Sequence, residues 1–416
     1  MRFSLLSMKL MGIKNIDKPI CLSFSNKLIT QDLFNQENNV KAIYGANGSG
    51  KTAIILAAYI FKQLVLDRNF VNKYVDFLKN IINQKTNTCD ITMTYAQVND
   101  RSTIDGIYSH TFIIGEGNGE FKINYEILKK LRGKRMNNES NWHIVYSVEN
   151  GELINNKNNF LKDITKNLLS DRSLPSILCD KSDSIDVENI PIMSMINTAH
   201  QFAESLSVML NETDSNYQSH TLYEFLELQN NSYVVDKTKY DVFKKIIDKL
   251  ASFIKVFKED LDSIEIQKDE KNKDYICKLI LIYSDGRRIS QEFESTGIKK
   301  LIKLYSYLCD VDIGKVVFVD EFDANMHDVV LVKLVGYVKE YASGQLIFTT
   351  HNLAPMDVLQ KTKYSIDFLS NDSKISSWVQ MGNSSVAKLY KKGLIKYSPF
   401  NLETFSFLGV FGDGTK

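Results

Sequence analysis

The sequence predicts an α/β fold in two lobes, and three stretches carry that prediction. Val40 to Tyr44, apolar except for Lys41, reads as a buried strand running straight into Gly45-Ala46-Asn47-Gly48-Ser49-Gly50-Lys51-Thr52, after which Thr52 to Leu66 has helical composition without a breaker. Lys315 to Glu321 is a second apolar strand, ending in the carboxylates Asp320 and Glu321. Gln345 to His351 is a third, delivering a polar tip and a histidine to a sheet edge, where open α/β sheets hold their ligands. Helices near Gly297–Leu308 and Asp328–Tyr341 separate these strands and give the second half an alternating strand and helix order.

The other elements follow the same logic. Leu6, Met8 and Leu10 alternate onto one face, and Ile20, Leu22 and Phe24 repeat the pattern after a turn around Lys18-Pro19. A second helix carries Phe70, Tyr74, Phe77, Leu78, Ile81 and Ile82. Strand patterns at Ile91–Tyr95, Ile107–Ile114, Phe121–Ile127 and Trp142–Ser147 suggest an antiparallel sheet flanking the nucleotide fold. From about Val148 to Asp269 the reading is mainly helical, clearest at Tyr240–Phe257, where Val242, Phe243, Ile246, Leu250, Phe253, Ile254 and Phe257 keep helical spacing. A chain of 416 residues exceeds one comfortable core. The expected division is therefore an N-terminal lobe over 1–147, a helical insertion over 148–269 and a C-terminal lobe over 270–416.

Composition narrows the partners. Lys and Arg total 51 against 50 Asp and Glu, so contact with nucleic acid or an anionic membrane needs a local patch. One candidate is Lys129-Lys130-Leu131-Arg132-Gly133-Lys134-Arg135, read as a hairpin or loop after a strand, although a charge run of this kind is usually just a solvated face. No apolar run reaches the length of a membrane span and no signal-peptide pattern opens the chain, so the expected place is the cytoplasm. Cys21, Cys89, Cys179, Cys277 and Cys309 form no short pair and read as reduced core thiols. His110, His143, His200 and His220 lack metal spacing, and Trp142 and Trp378 read as packing residues.

The first glycine-rich stretch meets the pattern G-x-x-x-x-G-K-[ST] at Gly45, Gly50, Lys51 and Thr52, with Gly48 inside it. Such a loop lets successive N–H groups and a helix N-terminus point at phosphates, while a lysine neutralises charge and a hydroxyl ligates Mg²⁺. In that company Asp320 can hold Mg²⁺ through its water shell, and Glu321, one residue on, can orient and deprotonate water. Ser295-Thr296-Gly297 precedes a helix; on its own it reads as an N-cap at Ser295 or Thr296, though small donors at a helix N-terminus also make an anion site. His351 alone reads as readily as core packing.

Taken in order, these motifs resemble the ATP-binding-cassette ATPases of the structural-maintenance and DNA-repair type. They look closer still to the compact bacterial branch found in phage-defence operons: the ATPase half of the overcoming-lysogenisation-defect nucleases, the AbiL-type abortive-infection ATPases and the PARIS-type ATPase AriA. The resemblance implies a two-lobed P-loop head with an antiparallel β subdomain and a helical insertion, binding ATP and Mg²⁺. It implies phosphate contacts from Gly45, Asn47, Gly48, Ser49, Gly50 and Lys51, and Mg²⁺ contacts from Thr52 and Asp320. Glu321 would be the base, Lys51 and His351 would act on the γ-phosphate, and Asp323 would lie in a loop crossing a dimer interface. Ser295 and Gly297 would complete the ATP site of a second subunit, so the chain is expected to form a homodimer or larger homo-oligomer. The role implied is a switch in anti-phage defence, triggered by DNA or a phage protein and gating a toxin or nuclease from the same operon; a DNA-maintenance ATPase is the alternative. The signature departs from the transporter form, Asp328 stands where a proline usually follows His327, and Gln97 is the one weak candidate for a Mg²⁺-sensing glutamine.

Overall fold

Strands buried on both faces form a parallel sheet here, and alternating strands form two antiparallel ones, as backbone geometry leads one to expect. The computed structural model describes residues 2–25, 39–99, 103–117, 119–133, 135–154, 161–162, 169–180, 192–210, 228–229, 232–324, 326–379 and 385–398. In the parallel sheet β17 (Ile366–Leu369), β3 (Val40–Gly45), β16 (Gln345–Thr349), β15 (Val316–Val319) and β9 (Leu206–Met209) lie side by side in that order. A short antiparallel strand, β18 (Ile375–Ser377), borders β17. Every residue of the five parallel strands is buried.

The first antiparallel sheet has the order β2 (Ile20–Ser23), β1 (Arg2–Met11), β4 (Thr88–Val98), β5 (Ile104–Gly117), β6 (Glu120–Leu131), β7 (Trp142–Glu149), β8 (Glu152–Leu153). Leu6 does not share a face with Met8 and Leu10. The register of β1 against β4 slips between Leu5 and Ser7, so Leu5 joins Met8 and Leu10 in the main core while Leu6 packs on the other face with Ala96, Ile107 and Leu131. Gln345 serves the backbone at this slip: Leu5 N–H donates to its Oε1 at 2.6 Å, and its Nε2 donates to Leu5 O at 3.2 Å. One buried amide thus joins the two sheets.

The third sheet runs β10 (Leu228–Gln229), β11 (Ser232–Asp236), β13 (Asp274–Tyr283), β12 (Leu261–Lys271), with β14 (Arg288–Ser290) also on β13. Among its described residues the segment 148–269 holds strands beside its helices. It contributes β9 to the parallel sheet and β10 to β12 to this one, because its four-residue buried run Leu206–Met209 is too short to reveal its period. Lys129 and Lys130 likewise lie inside β6 rather than in a loop.

Helix α1 (Lys51–Leu66) fills the space between the first sheet and the parallel sheet, and thirteen of its sixteen residues are buried, as a helix apolar on all sides requires. The second helix of the sequence is two short ones, α2 (Phe70–Lys73) and α3 (Val75–Ile81). Then come α4 (Leu174–Asp180), α5 (Met193–Glu204) and α6 (Tyr240–Lys255), in which Val242 is exposed rather than packed. Helix α7 (Thr296–Asp312) belongs to two cores. Its Ile298, Leu301 and Ile302 pack with α6 and the third sheet, while Leu304, Tyr307 and Val311 pack under the parallel sheet. That second core also holds α8 (Asp328–Tyr341), α9 (Ala354–Leu359) and α10 (Val386–Lys391). Of the cysteines, all free, Cys89 and Cys277 are buried, Cys21 is exposed, and Cys179 and Cys309 are intermediate, so three are not core thiols. No helix among the described residues is long and apolar enough to cross a membrane.

The one lysine in β3, Lys41, is buried and paired with buried Asp367 of β17 at 2.7 Å, and Ser377 Oγ donates to the other carboxylate oxygen at 2.6 Å. Removing one partner of such a pair strands a charge in the interior. Asp367→Ala should cost about 3–5 kcal/mol in urea unfolding, and Lys41→Met with Asp367→Leu should recover most of it; an Asp367→Ala chain of wild-type stability would refute this account.

Candidate nucleotide site

The parallel order brings the C-terminal ends of β3, β16 and β15 to one edge, with β16 between the other two. From that edge leave the glycine-rich loop, the pair Asp320-Glu321, and Thr350-His351. The loop 45–50 joins β3 to α1 without spare room. A Cβ on Gly45 would lie 2.5 Å from Ser49 Oγ and 2.6 Å from Leu369 O, and Gly50 has φ of +102°, a conformation that favours glycine. Gly50 is also the N-cap of α1 and offers no side-chain cap, so the first N–H groups of the helix are left for a ligand. Asn15, at the turn after β1, donates from its amide to Gly48 O and so braces the crown of the loop.

Lys51 lies across the loop, its ammonium donating to Gly45 O at 2.9 Å and Ala46 O at 3.0 Å. Burial pulls its pKa below the ordinary lysine value, while Asp320, Glu321 and Asp323 act to raise it. Ser49 Oγ is buried without a hydrogen-bond partner among the described residues. A compact cradle with a helix N-terminus, a cation and an orphaned hydroxyl fits a polyphosphate. Thr52, half-buried at the start of α1, and Asp320, buried at the end of β15, are oxygen donors of the kind that would suit Mg²⁺.

Thr349 organises the acidic pair, a part sequence reasoning did not assign. Its hydroxyl donates to Asp320 Oδ1 at 2.6 Å and accepts from Glu321 N–H at 2.8 Å, while Phe322 N–H donates to Thr349 O at 3.0 Å. The only cue in the sequence is a hydroxyl residue closing an apolar strand. Asp323 is half-buried in the same turn, and Asn325 lies outside the described residues. His351 is exposed, and the loop carrying it is tied down: Asn352 N–H donates to Thr350 Oγ1 at 2.9 Å and Asn352 Nδ2 to Asp328 Oδ1 at 2.6 Å.

Ser295 and Gly297 stand apart from this edge in chain terms, at the start of α7. Ser295 is the N-cap, its Oγ accepting from Ile298 N–H at 3.4 Å, and it is exposed. Gln97 pairs with Phe3, which lines a cleft with Gly314 and Lys315 ahead of β15, at the opposite end of the parallel sheet from Asp320. It is not among the residues gathered at the loop.

The family model described as "AAA domain, putative AbiEii toxin, Type IV TA system" matches residues 41–357. The chain belongs to this AAA-domain family. The match takes in the glycine-rich loop, the acidic pair and His351. No protein of curated function matches the chain. Solved structures similar to this AAA-domain chain include an Smc head bound to the C-winged helix domain of ScpA, with TM-score 0.49, 15% identity, and coverage of 93% of this chain and 99% of that one. Others are the SMC head domain from Thermotoga maritima, at 0.35, 15%, 92% and 100%, and the recombination mediator RecF, at 0.39, 11%, 91% and 99%. All three scores lie below 0.5, and the fold assignment rests on strand order and register.

Electrostatics at the edge are testable. Partial desolvation against the edge and the Lys51 cation hold the His351 imidazole below the ordinary histidine value, with Asp323, Glu321 and Asp320 pulling upward. Above a pH of about 6.5 the ring is neutral in folded and unfolded chains alike, so its contribution to stability falls as pH drops from there through the folded midpoint. In an NMR titration the His351 midpoint should sit below 6.5 and rise when Lys51→Met removes the cation; a midpoint unmoved by that change would show the two groups do not interact.

Proposed function

We propose that this chain is an ATP-hydrolysing switch that works as a homodimer or larger homo-oligomer in the cytoplasm and controls a separate effector in anti-phage defence. The observation that carries the chemistry is the β3-β16-β15 order, which puts the phosphate loop, Asp320-Glu321 and His351 at one sheet edge. In this reading the loop from Gly45 through Asn47, Gly48, Ser49 and Gly50 cradles the phosphates, and Lys51 swings from the Gly45 and Ala46 carbonyls to the β/γ-phosphates. Thr52 and Asp320 hold Mg²⁺, which supplies neutralisation of phosphate charge. Glu321 takes a proton from the attacking water, the γ-phosphorus bond to the bridging oxygen breaks, and ADP and phosphate leave. His351 faces the γ-phosphate side, Asp323 lies at the subunit boundary, and exposed Ser295 with Gly297 meets the nucleotide of the second subunit, as a helix N-terminus can.

The switch depends on differential binding: closure around ATP gates a partner only if the partner prefers one state. The family description names a putative AbiEii toxin and a type IV TA system, and assigns no effector to this chain. The test is a pair of variants expressed with the neighbouring genes. Lys51→Ala should lose nucleotide binding, whereas Glu321→Gln should bind ATP normally and turn over slower by about two orders of magnitude or more. The two should shift retention of a co-purified partner in opposite directions. Wild-type ATP affinity in Lys51→Ala would overturn the site; phage protection by the chain without its neighbours would overturn the effector.

A second reading, a DNA-maintenance ATPase, draws on Lys129, Lys130, Arg132 and Arg135 at the end of β6, where Lys130 stands 5.4 Å over the Tyr108 ring; Lys134 lies outside the described residues. Reversing those four charges should weaken duplex-DNA binding and flatten its dependence on salt. Unchanged binding would leave the run a solvated face.

A further inference from the structure

Glu321 is the proton acceptor in the proposed hydrolysis, and the role of Lys300 argued from its surroundings rests on that reading. Glu321 has φ of +49°, in the left-handed region that residues with a Cβ seldom occupy. Such a conformation lasts only where the surroundings enforce it. On its amino side the enforcement comes from Thr349, through Glu321 N–H at 2.8 Å. Phe322, fully buried with its ring 4.8 Å from that of Phe348, anchors the next residue. On the carboxyl side, Glu321 O accepts from Ala324 N–H at 3.1 Å and from the Lys300 ammonium at 2.5 Å.

Lys300 is 6% exposed. A charged donor on a carbonyl makes a stronger hydrogen bond than a neutral one, and an ammonium out of water depends on such bonds. The same lysine stands in the second turn of α7, five residues beyond the Ser295 cap, so it is carried by the helix whose exposed end would meet a second nucleotide. We propose that Lys300 is a positioning residue for hydrolysis: it holds the Glu321 peptide in its left-handed turn and makes that hold depend on where α7 stands. Through it, contact at Ser295 in one subunit bears on the aim of the carboxylate in that same subunit. In this role Lys300 acts through the Glu321 carbonyl, to which its ammonium donates.

The split between turnover and binding separates this role from general support. Lys300→Met should lower kcat by about tenfold to a hundredfold, the scale of a small misplacement, while KM for ATP and affinity for a non-hydrolysable ATP analogue stay within about threefold. Lys300→Arg, which can still donate to the carbonyl, should regain most of the turnover. Hydrogen exchange of the segment 320–324, followed by mass spectrometry without nucleotide, should quicken in Lys300→Met and not in Lys300→Arg. If Lys300→Met does not fold, Lys300→Gln, too short to reach the carbonyl, must show the same split. Unchanged kcat and exchange in the Met and Gln variants, or an Arg variant as slow as Met, overturns the proposal. Glu321→Gln is assayed alongside: wild-type turnover there brings down the hydrolytic assignment and the role of Lys300 together, whereas a stalled Glu321→Gln with a fully active Lys300→Met brings down the role of Lys300 alone.

Discussion

The constraint on which the rest depends is that α1 has almost no free face. Its apolar residues are taken up on one side by the first antiparallel sheet and on the other by the parallel sheet, and even its one interior lysine, Lys62, is buried and donates to Leu206 O at 2.7 Å. Rotating or sliding this helix would expose Ile54, Phe61 and Val65 or leave an ammonium unpaired, and full burial of one such apolar side chain contributes about 1.5–3 kcal/mol. The loop ahead of it therefore has a fixed seat at both ends, β3 before and α1 after. Preorganised donors cost little reorganisation when a charge arrives, which is what makes a loop of backbone N–H groups useful.

Four buried lysines are handled in one way. Lys41, Lys51, Lys62 and Lys300 are all buried, and each ammonium donates to a carboxylate or a backbone carbonyl. Lys41 and Lys62 serve fixed structural partners on neighbouring strands. Among the described residues Lys51 donates to loop carbonyls, which a phosphate can replace, and its pKa is lowered by burial, so an anionic ligand would return to it what the interior took away. The difference between a structural and an exchangeable lysine lies in the partner, not in the depth.

Period and spacing decide how much of this was legible in the sequence. β3, β15 and β16 could be read because each is a short, largely apolar run bounded by glycine, acid or histidine, and the strand, loop and helix context around Lys51 is contiguous. The helix Asp328–Tyr341 was legible because its apolar residues recur at helical spacing on both sides of Gly336. Strand β9 was hidden because four buried residues have no period, and the element just before it is helix α5. The slip at Leu5 and Ser7 was invisible because it depends on Gln345, 340 residues away. Thr349 and Lys300 were missed as site residues for a related reason: each acts through a backbone group of another segment, and no spacing within one stretch records that.

Helix α7 carries a consequence of another kind. Its first half is interior to the core shared by α6 and the third sheet, and its second half is interior to the core beneath the parallel sheet. Neither core can melt alone without uncovering half of a helix that the other still holds, so the antiparallel unit of β11 to β14 and the parallel sheet should lose their structure in one cooperative step, although nearly 200 residues separate β3 from β11.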